Sequence, residues 1–325
     1  MSNTPYQNML LGIAIGDAYG AGYEFRYPLL KDYQNILLDK YIKSAFTDSD
    51  HFPGMYTDDT QMSIGVVELL ISDKEFNKLN LANTFVECYK RDPIIGYAKN
   101  FQNFLNSVNS GEEFIKKIQP DSIRNGAAMR SVPLGLIYDK NTVIECATIN
   151  AQLTHNTPKG IASSVAVALM SHIKFYENSR YEGSMDDVMS TLYSVIPKID
   201  SESWEYFDAI ANNRDFNPKL LFGEKHEDKG VPCDGMRTAG AVLYLMSRYD
   251  FQFPSSILID AVKLGGDTDS VASIALGIGL IHDSVDNLPD FLYNNLTNHL
   301  YGRDYLLFLG NKLEKKFSLS RSNSL

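Results

Sequence analysis

Apolar residues recur at helical spacing through most of the chain, and sustained apolar/polar alternation is scarce, so the pattern predicts an all-α fold with few strands. The first helix is expected over Asn8–Tyr23, where Met9, Leu10, Ile13, Ala14 and Ala18 lie among glycines. Gly12, Gly16 and Gly20 repeat every fourth position, which aligns them on one helix face. Glycine is a poor helix former, so this face predicts close approach of another backbone. A second helix should start near Thr57 and carry Met62, Val66, Val67, Leu69 and Leu70. Further helices are expected over Thr142–Gln152 and Ile161–Tyr176, the latter with a core-facing apolar stripe. Ser255–Leu264 reads as a helix stopped by Gly265 and Gly266, with another running from Asp267 to Leu280. Between Asp200 and Gly235 the polar, Pro- and Gly-broken pattern predicts one or two helices joined by long loops. A single domain over 1–316 and a polar, disordered tail over 317–325 complete the expected organisation.

Composition narrows the function classes. The 325 residues suffice for a sizeable core, and 44% hydrophobic with 22% charged residues is ordinary for a globular protein. No apolar run is long enough for a bilayer, and MSNTPYQNML lacks the features of a secretion signal, so a cytoplasmic protein is expected. Cys88, Cys146 and Cys233 have no metal or redox spacing and are expected to be reduced, mostly buried thiols. The formal net charge of -10 argues against an extended nucleic-acid surface. A small phosphate-bearing ligand stays compatible with it, since backbone N–H groups and metal ions can hold a diphosphate.

Two segments carry candidate chemistry. Tyr56-Thr57-Asp58-Asp59-Thr60 and Gly265-Gly266-Asp267-Thr268-Asp269-Ser270 each put two carboxylates and a hydroxyl at a helix start. Capping explains either segment alone, because Asp, Ser and Thr satisfy the first N–H groups and suit the helix dipole. A metal site explains both together: magnesium takes oxygen ligands, and four converging carboxylates need cations or protons to neutralise them.

With those residues in view the chain resembles the ADP-ribosylglycohydrolase family. The resemblance runs from about Leu10 to about Leu280 and rests on GIAIGDAYGAGYEF, YTDDTQM, YKRDPIIGYAKNF, NGAAMRSVPLG, AQLTHNTPKGIAS and LGGDTDSVASIALG, in the family's order. It implies a compact orthogonal helical bundle. It also implies hydrolysis of the glycosidic bond that links ADP-ribose to a modified protein or small conjugate, with two Mg2+ ions, or Mn2+ in their place. Thr57, Asp58 and Asp59 match one set of metal ligands, and Asp267, Asp269 and Ser270 the other. Glu24 matches an acidic residue near the scissile bond, and Asp92 a functional Asp of the arginine-linked branch. Ser122, Asn125 and Gly126 match the loop that wraps the diphosphate and distal ribose, and His155 a histidine near the substrate. Asp92 is equally a turn residue before Pro93, and His155 equally a structural histidine.

The sequence also departs from the family. Ile123 and Arg124 stand where relatives often carry an aromatic and a small residue, leaving Tyr97, Phe101 or Phe104 as alternative rings for adenine. Thr157 replaces a second histidine of many bacterial relatives, and Ser270 replaces a Thr. Arg124 and Arg130 are expected to be solvated, with phosphate contact as the alternative. The expected enzyme is a monomer. The rival readings are an inactive, crystallin-like member and an ADP-ribose-binding module without turnover.

Overall fold

The computed structural model describes residues 3–26, 36–44, 52–94, 96–176, 185–212, 217–222, 229–249 and 253–322. The α-helices in chain order are α1 (Pro5–Gly20), α2 (Asp58–Ile71), α3 (Lys78–Arg91), α4 (Lys99–Ser107), α5 (Gly111–Lys117), α6 (Gly126–Met129), α7 (Lys140–Thr154), α8 (Pro158–Tyr176), α9 (Met185–Ile199), α10 (Ser201–Ala211), α11 (Gly235–Tyr249), α12 (Pro254–Lys263), α13 (Thr268–Gly279), α14 (Asp290–Asn294) and α15 (Arg303–Ser322). Among the described residues β-pairing is confined to two isolated bridges, Asp121 with His155 and Val231 with Gly266. The all-α expectation therefore holds. The last helix runs through Ser322, past the expected boundary at 316, and residues 323–325 lie outside the described residues. No helix among the described residues is long and apolar enough to cross a membrane.

Helix α1 starts at a capping box: Thr4 N–H donates to Gln7 Oε1 at 2.9 Å and Gln7 N–H to Thr4 Oγ1 at 3.4 Å, with Pro5 just inside. Every residue from Tyr6 to Gly20 is buried, and so is every residue of α13. These two helices form the centre of the molecule and pack antiparallel along the glycine face. A Cβ at Gly12, Gly16 or Gly20 would lie 2.6, 2.2 and 2.4 Å from the carbonyl oxygens of Leu276, Ala272 and Thr268. Thr268 Oγ1 donates to Gly20 O at 2.7 Å and closes the end of the pair. The C-terminus of α1 is thereby fixed beside the N-terminus of α13, where the second acidic segment lies.

Between α12 and α13 the chain reverses through Gly265 and Gly266, with φ of +66° and +76°. Gly266 also touches Val231 so closely that a Cβ would sit 2.0 Å from its carbonyl oxygen, so only glycine fits. Val231 in turn accepts the Asp267 N–H at 2.8 Å, and Gly266 O accepts the Phe25 N–H at 2.8 Å. The loop after α1, the Val231 segment and the α13 start are thus stitched together through backbone bonds.

Candidate metal centre and ligand cavity

The two acidic segments, roughly 200 positions apart in sequence, meet at one end of a cavity of about 870 Å³, within the usual size of a small-molecule site. Glu24, Asp58, Asp59, Asp267, Asp269 and Ser270 line it there. One carboxylate oxygen each from Glu24, Asp267 and Asp269 lie within 4.8 Å of one another, and the same holds for Asp17, Asp59 and Asp269. Asp269 is common to both groups, which suits a centre of two cations sharing a ligand.

Burial first, then mutual repulsion, makes ionisation costly here. Glu24 is pushed up to about 8 by burial and by Asp267, Asp58 and Asp17. Asp58 is pushed up to about 7 by burial, with Asp17 and Asp267 adding to it. Burial likewise drives Asp59 and Asp269 well above the ordinary carboxylate range. Asp59 Oδ1 is buried and has no hydrogen-bond partner among the described residues. A buried carboxylate oxygen rarely stays unpartnered, and a cation is the partner that also offsets the neighbouring charges. The donor set, all carboxylate and hydroxyl oxygen, fits hard divalent cations.

Asp17 was not singled out in the sequence, yet it organises the first segment. Its Oδ1 accepts from Thr57 N at 3.0 Å and Thr57 Oγ1 at 2.7 Å. Its Oδ2 accepts from Thr57 N at 2.9 Å, Thr60 N at 3.0 Å and Thr60 Oγ1 at 2.6 Å. Asp17 thus caps α2 from outside, in place of the Thr57 side chain, which makes no capping bond. The Thr57 hydroxyl proton is spent on Asp17, leaving its oxygen lone pairs for a cation. Burial lifts Asp17 to about 6 against the four Thr hydrogen bonds that lower it. The signal in the sequence was a lone carboxylate inside an otherwise uncharged helix of small and apolar residues.

The remaining expected residues divide. Ser122, Asn125, Gly126 and His155 line the cavity. Asn125, however, gives its Nδ2 to Asp267 Oδ2 at 2.8 Å and to Thr238 Oγ1 at 3.2 Å, so its side chain orients a carboxylate of the acidic centre. Asp92 lies apart from them: it caps α3, pairs with His299 Nε2 at 3.0 Å, and is not among the cavity-lining residues. Arg130 is a correction, since it is 1% exposed rather than solvated. Ile123 is 52% exposed and lies off the cavity, while its carbonyl accepts the Gly235 N–H at 3.0 Å. Of the alternative rings, Tyr97 is buried and donates to Gln61 Oε1 at 2.7 Å, whereas Phe101 and Phe104 line the cavity, stacked with centroids 5.7 Å apart. Lys99, Lys117 and Arg124 also line it, so its wall carries cations as well as the acidic centre. Cys233 faces the cavity too, and all three cysteines are free, as expected.

The fold and the site define an all-helical protein with a polyacidic centre opening on a ligand-sized cavity that also carries aromatic and cationic side chains. The sequence model of the ADP-ribosylglycohydrolase family matches residues 5–323. The chain belongs to that family of glycosidic-bond hydrolases. It is 26% identical to ADP-ribosylhydrolase ARH3 of Homo sapiens over 320 residues, covering 88% of this chain and 87% of that one. With ADP-ribosylarginine hydrolase Tri1 of Serratia proteamaculans it shares 24% identity over 292 residues, covering 86% and 72%. A solved structure titled ADP-ribosylglycohydrolase-related protein complex superposes with a TM-score of 0.64 at 20% identity, covering 96% of this chain and 98% of that one, and bears on the fold alone.

Proposed function

We propose that the protein is a cytoplasmic, magnesium-dependent hydrolase that cuts the glycosidic bond between ADP-ribose and a modified protein or small conjugate. The observation that carries this reading is the convergence of Glu24, Asp58, Asp59, Asp267 and Asp269 at one end of a cavity lined elsewhere by Phe101, Phe104, Lys99 and Arg124. Thr57, Asp58, Asp59, Asp267, Asp269 and Ser270 would hold the cations, with Asp17 and Asn125 orienting them. Bound magnesium would supply charge compensation and Lewis-acid polarisation of ribose hydroxyls at the reacting sugar.

The chain's own residues account for the rest. Phe101 and Phe104 offer an aromatic face for adenine, and Lys99 and Arg124 offer positive charge for the diphosphate. Fixing both ends of the nucleotide presents the anomeric carbon to the acidic centre, the positioning on which such catalysis depends. Cleavage builds positive charge on the sugar ring and negative charge on the leaving atom. The surrounding carboxylates stabilise the first. Glu24, a carboxylate on the cavity wall beside the acidic centre, is the group we assign to give or take the proton. All the matched carboxylates are present, which favours turnover over a binding module or an inactive relative. The deciding experiment is a product assay on arginine-, serine- and O-acetyl-linked ADP-ribose, with and without Mg2+. Free ADP-ribose appearing from at least one conjugate, only with Mg2+, is expected; tight binding with no product from any of them would overturn the assignment.

A further inference from the structure

Arg130 is a buried cation on the cavity wall with no carboxylate paired to it among the described residues. Most of its hydrogens are committed inward. Nε donates to Asn150 Oδ1 at 2.6 Å, and Nη2 donates to Asn150 O at 2.9 Å and Thr154 Oγ1 at 2.8 Å. Nη1 faces Met62 Sδ at 3.7 Å, and the guanidinium lies 4.9 Å from the Phe85 ring centroid. Asn150 is itself pinned, its Nδ2 donating to Ala127 O at 3.0 Å, Ser131 Oγ at 3.1 Å and Ser164 Oγ at 3.2 Å. This rigid arrangement leaves Arg130 poorly placed to follow a ligand, and points to a role through its neighbours.

A guanidinium can only donate, so Thr154 Oγ1 must accept from it. The Thr154 hydroxyl proton then needs an acceptor, and the partner in reach is His155 Nδ1 at 2.7 Å. Were Nδ1 protonated, that hydroxyl proton would be left unpaired in a buried place, which is the costly alternative. Nδ1 therefore accepts, and a neutral imidazole accepting there carries its proton on Nε2. The Nε2 edge passes over Gly126, where a Cβ would lie 2.9 Å from Cε1 and 3.2 Å from Nε2. The missing side chain leaves the ring room to face the cavity it lines. Burial, aided by Arg130 and Arg124, holds His155 down at about 3, so the ring stays neutral at working pH.

We infer that Arg130 and Thr154 are positioning residues that lock His155 as its Nε2–H tautomer and present that hydrogen as a fixed donor to an acceptor oxygen of the nucleotide. The nucleotide's identity rests on the ADP-ribose reading above; the relay does not. Long-range 1H–15N spectra of the ligand-free protein report the tautomer directly. The wild type is expected to show Nε2–H, and an Nδ1–H signal would overturn the relay without recourse to any variant. Thr154→Val should mix the tautomers and weaken ADP-ribose binding, read by calorimetry with Mg2+ present, by about tenfold, the worth of one hydrogen bond to a charged acceptor. Thr154→Ser, which restores the hydroxyl, should recover both. A Thr154→Val protein with the wild-type tautomer refutes the relay, and one with a changed tautomer but unchanged affinity refutes the donor role. Because the spectra need no ligand, failure of the relay is distinguishable from failure of ADP-ribose to bind.

Discussion

Replacing Gly16 with Ala tests the contact on which the site's assembly depends. In an isolated helix the change is favourable by about 1 kcal/mol, because Ala is the better helix former. Here the new Cβ would fall 2.2 Å from Ala272 O, 2.5 Å from Ala272 C and 2.8 Å from Ser273 Cα. An ordinary C···O approach is about 3.3 Å, so the helices must part by roughly 1 Å. All three obstructing atoms are backbone, and no rotamer change relieves them. Overpacking costs typically ~1–3 kcal/mol, and this case belongs at or above the top of that range. Subtracting the propensity gain leaves a net loss of about 2 kcal/mol or more. Urea unfolding should show a midpoint lower by roughly 0.7 M, taking a slope of about 3 kcal/mol per M. Gly279→Ala is the control, since its Cβ would meet only the Ile257 Cδ1 methyl at 3.2 Å. Its midpoint should be unchanged or higher. A Gly16→Ala protein as stable as the wild type would refute the view that α1 and α13 are held in backbone contact by the glycine face.

Glu24→Gln should reduce single-turnover cleavage at saturating Mg2+ by about 10²- to 10⁴-fold while ADP-ribose affinity changes little, and an unchanged rate would remove Glu24 from proton transfer. Asp269→Asn relieves the desolvation of a buried carboxylate and its repulsion by Glu24, Asp267 and Asp59, so the metal-free protein should melt higher than wild type while the Mg2+-induced rise in Tm is lost; retention of that rise would count against Asp269 as a shared ligand. The acidic centre also sets a pH dependence. The folded values for Glu24, Asp58 and Asp17, about 8, 7 and 6, exceed the ordinary values of 4.5, 3.8 and 3.8, so the folded state binds more protons. Their contribution is full below pH ~4 and is lost as pH rises through about 8, so Tm in a chelator should fall over that window. Mg2+ should flatten the slope, and a chelated protein that gains stability toward pH 8 would contradict the clustering.

What the sequence revealed depended on how local each cause was. Helix starts at Thr57 and Asp267, the stop at Gly265–Gly266 and the packed glycine face of α1 all follow from short-range patterns, and each is found. Asp17 was hidden because its partners, Thr57 and Thr60, lie 40 and 43 positions away. For Asp92 the turn and functional roles both stayed open in the sequence for the same reason: the residue that engages it, His299, is 207 positions distant, and a motif match alone does not fix where a side chain turns. Arg130 carries no local sign of burial, and only the gathering of α2, α3 and α7 around it makes it a buried cation.

The central pair of helices also constrains how the protein is made. Gly20 and Thr268, joined by one hydrogen bond, are separated by 248 positions. At ~5–20 residues per second on the ribosome, the second of them follows the first by roughly 12–50 s. During that interval α1 has no α13 to cover its glycine stripe. A nascent chain of this protein therefore carries a helix destined for complete burial without its main partner while the intervening positions are made, and its cation site comes into being only once the second acidic segment has emerged.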